Sequence, residues 1–82
     1  MLFEILVALF ERAYLTSYDD VMTPPQRRRW HSWDDFMREW CRRDDFYEAL
    51  PELLAGEDEQ FAQYLTRIAD DERRKPRNHE RP

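Results

Sequence analysis

Four adjacent aspartate pairs, Asp19-Asp20, Asp34-Asp35, Asp44-Asp45 and Asp70-Asp71, invite a chemical reading first, because paired carboxylates do general acid and base work. That work needs both groups to converge on one pocket, whereas successive residues of a helix point ~100° apart. The doublets therefore read as solvated surface and helix caps. His31 and Asp35 stand at i,i+4, a ligand-like spacing, yet no cysteine or second histidine is close enough in sequence to complete a zinc centre. The other histidine, His79, falls in the C-terminal tail, so no Cys/His pair for nucleophilic catalysis is built around Cys41. A single cysteine also excludes an internal disulfide, and a single glycine, Gly56, excludes a glycine-rich phosphate loop. The sequence thus marks no catalytic, metal-ligating or cofactor-binding residue and no small-molecule ligand, and the expectation is a non-enzymatic protein.

Two other groups can make contacts rather than chemistry. Arg27-Arg28-Arg29 opens a helix, where cations oppose the dipole, so Arg27 and Arg28 are candidates for a polar contact with a partner. The alternative is pairing with Asp19, Asp20 or the acidic third of the chain. Trp30, Trp33 and Trp40 could stack on nucleic-acid bases, but they share a helix face with Phe36 and Met37 and read as core. Net charge is -5, laid out as -3 over residues 1–22, +3 over 23–43, -9 over 44–72 and +4 over 73–82. Such alternation disfavours duplex binding, which gathers cations on one face. A nucleic-acid accessory role through Arg27–Arg29 and the basic tail stays as an alternative reading.

The elements that must position these groups are helical. Strand formers are scarce and period-2 alternation is absent, while helical spacing recurs along the chain. The first helix is expected over about Leu2 to Tyr18. Leu2, Ile5, Leu6, Leu9, Ala13 and Thr16 fall on one side, with Phe3, Val7, Phe10 and Tyr14 beside them. Glu4, Glu11 and Tyr18 stack opposite an apolar arc of roughly 200°, wider than the ~100° a surface helix needs. Thr23-Pro24-Pro25-Gln26 reads as a capping box opening the second helix. Its face Trp30, Trp33, Phe36, Met37, Trp40, Cys41 is clear, with Asp34–Arg38 and Glu39–Arg43 as i,i+4 pairs. Asp44 or Asp45 is expected to cap a short helix through Phe46, Tyr47, Leu50, Leu53 and Leu54, in which Pro51 forces a kink or a fresh turn and Gly56 supplies the stop. Asp58 is expected to cap the last helix, whose buried stripe is Phe61, Ala62, Tyr64, Leu65, Ile68 and Ala69.

The expected architecture is all-α: three main helices plus one short helix, with 1–74 as a single domain and 75–82 as a mobile basic tail. The apolar stretch from Met1 to Phe10, broken by Glu4, is about half the length that crosses a bilayer. With no early cations to form a signal peptide, the expected setting is cytoplasmic. A membrane-surface role for the first helix remains a further alternative.

Phe10-Glu11-Arg12-Ala13-Tyr14-Leu15, then Trp30 and Trp33, then Phe46 to Leu54 and Phe61 to Leu65, form a pattern that resembles a helical module of uncharacterised bacterial proteins. In those proteins the module often follows a transmembrane helix, which implies that Met1 to Leu9 stands where a membrane-proximal stretch would be. The resemblance spans about two-thirds of the chain and brings no activity with it. The leading functional expectation is a protein–protein interaction module. With more apolar surface on the first helix than one small domain covers, Leu2, Phe3, Leu6 and Phe10 are the candidate self-association residues of a two-fold homodimer.

Overall fold

The computed structural model describes residues 2–75. Over them the chain forms four helices, α1 (Leu2–Ser17), α2 (Pro24–Cys41), α3 (Asp44–Leu54) and α4 (Glu59–Arg74). The described residues contain no strand, so the all-α class holds. Of the expected tail, all but Lys75 lies outside the described residues, as does His79.

The helix boundaries follow from local chemistry. The Thr23 hydroxyl accepts from the Gln26 N–H at 3.3 Å and the Gln26 side chain accepts from the Thr23 N–H at 2.9 Å, the reciprocal capping box that the sequence spells. Asp58 likewise accepts from the Phe61 N–H at 3.0 Å and opens α4. At α3 the structure differs from expectation. Arg43 is the N-cap and gives no side-chain capping bond, while Asp44 and Asp45 stand one and two residues inside, in the first turn, where their charge favours the helix dipole. Pro51 neither ends the helix nor starts another, since α3 runs through to Leu54. The cost is one lost N–H donor, to the Tyr47 carbonyl, and the burial of Leu50 and Leu54 on either side of the proline holds the last turn in place.

Gly56 has φ 85°, and Ala55 before it has φ −62°, ψ 124°. With the Glu57 N–H donating to the Leu54 carbonyl at 3.0 Å, Leu54–Glu57 is a type II turn whose third position requires the left-handed region. The turn brings α4 back along α3. Its exit is fixed by α1: the Glu11 carboxylate accepts from the Asp58 N–H at 2.8 Å, a bond spanning 47 residues.

Phe10, Phe46, Phe61, Met37, Leu65, Val7 and Cys41 are the largest side chains almost wholly withdrawn from water, and all four helices contribute to this core. Two aromatic groups extend it. Phe3, Trp40 and Phe46 pack mutually, with Phe3 edge-on to Phe46 at 5.2 Å, and join α1 to the α2–α3 junction. Tyr14, Tyr18, Trp30 and Tyr64 pack at the other end, with centroids 4.8 to 6.2 Å apart. The molecule is only 19 Å across its shortest axis, two helix layers at the usual ~8–10 Å spacing. No helix in a two-layer arrangement is surrounded, and this decides the fate of the wide apolar arc of α1.

Candidate functional site

Two of the doublet aspartates, Asp34 and Asp71, together with Arg38, are consumed in one network along the α2–α4 seam. Trp30 Nε1–H donates to the Tyr64 hydroxyl at 3.0 Å, and the Tyr64 O–H donates in turn to Asp34. Asp34 accepts from Arg38 Nε at 2.8 Å, and Arg38 Nη1 reaches Glu72 at 2.9 Å and Asp71 at 3.2 Å. Glu72, whose side chain is 2% exposed, also accepts from Arg42 at 2.8 Å and Lys75 at 2.8 Å. Burial alone would raise the Glu72 carboxyl, but the three cations outweigh it and hold the group at about 2. Burial likewise opposes the charge on Arg38, and the hydrogen bonds to Asp34 and Glu72 overcome it, so the guanidinium sits above its ordinary value. Tyr64 is pushed up by burial and by the adjacent Asp34 carboxylate. This arrangement fixes the pitch of α2 against α4; every carboxylate in it already has a cation or a hydroxyl.

Three further doublet members are similarly engaged. Asp44 accepts from Arg73 at 2.7 Å, Asp45 from Arg43 at 3.0 Å, and Asp70 from the Tyr47 hydroxyl at 2.9 Å. The Asp19 side chain closes a local turn onto the Val21 N–H. The expected Asp34–Arg38 pair forms, but Glu39–Arg43 does not. Because α2 ends at Cys41, Arg43 leaves the helix, pairs with Asp45 and lies over the Trp40 ring at 5.2 Å. Cys41 is wholly buried, and burial pushes its thiol up to about 12. His31 and Asp35 are exposed on α2, and among the described residues no group of three His, Cys, Asp or Glu side chains could hold a metal ion.

Arg27 and Arg28 are both exposed. Arg27 donates to the Met22 carbonyl at 3.3 Å, folding over the start of its own helix rather than reaching Asp19 or Asp20. Among the described residues Arg28 and Arg29 have no ion-pair partner. Of the tryptophans, Trp30 is buried, while Trp33 and Trp40 are half-buried against the core. They therefore do not offer an open stacking platform together.

The self-association residues need correcting. Of Leu2, Phe3, Leu6 and Phe10, the structure leaves only Leu2 open, at 59% exposure. Leu6 and Phe10 are buried at 8% and 0%, and Phe3 is half-buried against Trp40 and Phe46. The physical reason is direction: α2, α3 and α4 cover the side of α1 that carries Leu6, Val7, Phe10 and Ala13. The uncovered part of the arc holds Leu2, Ile5 at 64% exposure and Leu9 at 45%. These stand at i, i+3 and i+7 and so share one face. Phe36 on α2, edge-on to the buried Phe10 at 5.7 Å, is also exposed.

A groove of about 830 Å³ runs between α3 and α4. Leu50, Pro51 and Leu54 form one wall, Ala62, Thr66 and Ala69 the other, and Glu59 and Arg67 stand among its charged lining. A smaller hollow of about 460 Å³ lies between the start of α1 and the end of α3, edged by Glu4, Glu52 and Glu57. Nothing in local periodicity announces the groove; the small residues at 62, 66 and 69 on one side of α4 are its only trace in the sequence. Glu72 was legible in principle, because it continues the 3–4 spacing of Leu65, Ile68 and Ala69 into the buried stripe. No helix among the described residues is long and apolar enough to cross a membrane. No protein-family model, characterised protein or solved structure matches the chain.

Proposed function

We propose that this chain is a small non-enzymatic helical module, cytoplasmic, whose role is protein–protein contact and whose adhesive element is α1. In this reading α1, α2 and α4 are the main helices, and the shorter α3 completes the frame that presents α1. The observation that carries it is the apolar stripe Leu2, Ile5, Leu9, three large aliphatic side chains left exposed on one face of α1 beside the buried side that carries Leu6, Val7, Phe10 and Ala13. The stripe borders only Arg12 among cations of α1, which favours a protein surface over an anionic membrane.

The size of the stripe sets the strength of contact. Full burial of an aliphatic side chain is worth ~1.5–3 kcal/mol, so covering the exposed half of three on each of two copies yields ~6 kcal/mol. Association costs ~4–15 kcal/mol in lost freedom, so stripe against stripe gives at best a weak pair. Sedimentation equilibrium of the full chain from ~10 μM to ~1 mM tests the reading, a range that brackets weak association. Average mass is expected to rise with concentration for the native chain and to stay at the monomer for Ile5→Glu with Leu9→Glu, both exposed positions. A native chain that remains monomeric throughout ends the self-association reading.

The exposed Arg28 and Arg29 support the nucleic-acid alternative to a lesser degree, since three arginines neutralise few phosphates.

A further inference from the structure

The stripe Leu2, Ile5, Leu9 does not stand alone on the surface. We infer that it is one half of a two-helix face, completed on α2 by Phe36, Trp33 and Trp40, and that this face docks on the same face of a second copy to close a two-fold dimer. The dimer rests on α1 being the adhesive helix and adds the half that α2 supplies and the size at which association stops.

Aromatic contacts set the two helices side by side and antiparallel: Phe3 lies against Trp40 at 6.2 Å, Phe10 against Phe36 at 5.7 Å and Tyr14 against Trp30 at 6.2 Å. Helical spacing then fixes the edge at which each exposed side chain emerges. On α1, Glu11 holds the start of α4 and Glu4 edges the hollow against α3, so that side of the buried strip belongs to α3 and α4. Leu2 and Leu9 are on its other side, four residues before the buried Leu6 and Ala13 and ~40° further round. That edge belongs to α2. On α2, Asp34 and Arg38 bond to α4, and Trp33 and Trp40 stand on the opposite side of the buried Trp30 and Met37. Phe36, four residues before Trp40, is again ~40° further round, and it packs edge-on to Trp33 at 6.4 Å. The exposed apolar residues of both helices therefore border one seam.

The pair α1–α2 is thus apolar on both its sides, the inner one lined by Val7, Phe10, Trp30 and Met37 and the outer one by this face. Such a pattern belongs to a middle layer. What covers it must itself be apolar, and four of the six exposed large hydrophobics among the described residues, Leu2, Ile5, Leu9 and Phe36, are gathered here. The best counterpart the chain offers for the face is the face itself.

Area agrees with that occupant. Leu2, Ile5, Leu9 and Phe36 leave open the equivalent of about two whole side chains, on the order of 400 Å². A stable interface takes ~800 Å² from each partner, of which about 57% is apolar, or ~450 Å². The stripe of α1 alone, at roughly 300 Å², falls short, and the partly open indoles of Trp33 and Trp40 close the remaining difference. Because the same patch gives and receives, the pairing is isologous and is used up at two copies.

Sedimentation equilibrium of the full chain from ~10 μM to ~1 mM, joined to iodide quenching of tryptophan emission over the same range, tests the dimer. The mass of the native chain is expected to level at twice 10.2 kDa, and quenching to fall as it does so, because Trp33 and Trp40 are covered while Trp30 is buried throughout. Two variants report on α2, each checked for folding by circular dichroism. Phe36→Gln makes an exposed anchor polar and is expected to weaken association about a hundredfold. Ser32→Arg, exposed one turn before Phe36, lays a charged side chain across the face without touching the core, is expected to weaken association at least tenfold, and answers if Phe36→Gln does not fold. If the native mass climbs past two copies, the closed dimer is overturned. If the native chain associates but the folded α2 variants associate as it does and quenching does not change, the α2 half is overturned while the role of α1 stands. If the native chain stays monomeric, or Ile5→Glu with Leu9→Glu associates like it, the reading of α1 falls and the dimer with it.

Discussion

Replacing Glu72 by Gln removes the one buried charge of the α2–α4 seam while keeping its shape, and the expected loss can be worked from the structure by two routes. The carboxyl is held at about 2 against an ordinary 4.5, a linkage of ~3.4 kcal/mol at neutral pH at ~1.36 kcal/mol per pKa unit. Removing one partner of a buried ion pair costs ~3–5 kcal/mol by a separate line of experience. Arg42 and Lys75 are about half exposed, and water screens their share, so ~2–3 kcal/mol is expected at pH 7. Because the folded-state pKa is depressed, the contribution is present in full above the unfolded value and fades as pH falls from about 4.5 toward about 2. At pH 3 the linkage has shrunk to ~1.4 kcal/mol before screening. Urea unfolding followed by far-ultraviolet circular dichroism, on both proteins at both pH values, reads this directly. With a slope near 1 kcal/mol per molar urea, the midpoints should differ by ~2–3 M at pH 7 and by ~1 M or less at pH 3. A difference that is equally large at both pH values would refute the electrostatic account and assign the loss to packing.

Trp30→Ala is expected to cost ~3–5 kcal/mol, because a buried ring and its hydrogen bond to Tyr64 are lost, and Trp33→Ala, at a half-buried site, at most half of that; thermal melting of the two variants ranks them, and an equal or reversed ranking refutes the burial argument. Gly56→Ala should destabilise by ~1–2 kcal/mol through the left-handed backbone alone, since a Cβ there meets no atom within 4 Å. A larger loss in chemical denaturation would mean that the turn is tighter than its geometry shows.

How much of this was legible depends on how local each feature is. The capping box at Thr23–Gln26 and the cap at Asp58 are contained in four residues each, and the chain honours both. The Glu39–Arg43 pair looked equally local, but it presumed a helix that continues past Cys41, and the end of α2 is decided by how α3 docks. Periodicity gave the wide apolar arc of α1 without the direction of its neighbours. That direction swaps Leu6 and Phe10, buried, for Ile5 and Leu9, exposed. Asp34, Tyr64 and Glu72 meet across 30 to 38 residues of chain, and the groove needs two helices to exist; neither is a property of any single window.

The two seams of the molecule are made of different materials. Between α2 and α4 lie ionised groups, whose removal from water becomes less costly as temperature rises. Between α1 and the α2–α3 junction lie Phe3, Trp40 and Phe46, whose cohesion is apolar and weakens on cooling. Both seams therefore lose strength on cooling, and they part company on heating, where the ionic seam gains on the apolar one. In a warming series, the first amide protons to exchange beyond the helix ends are expected in α1, and the surface it presents to a partner loosens with it, while α2 and α4 stay together longer.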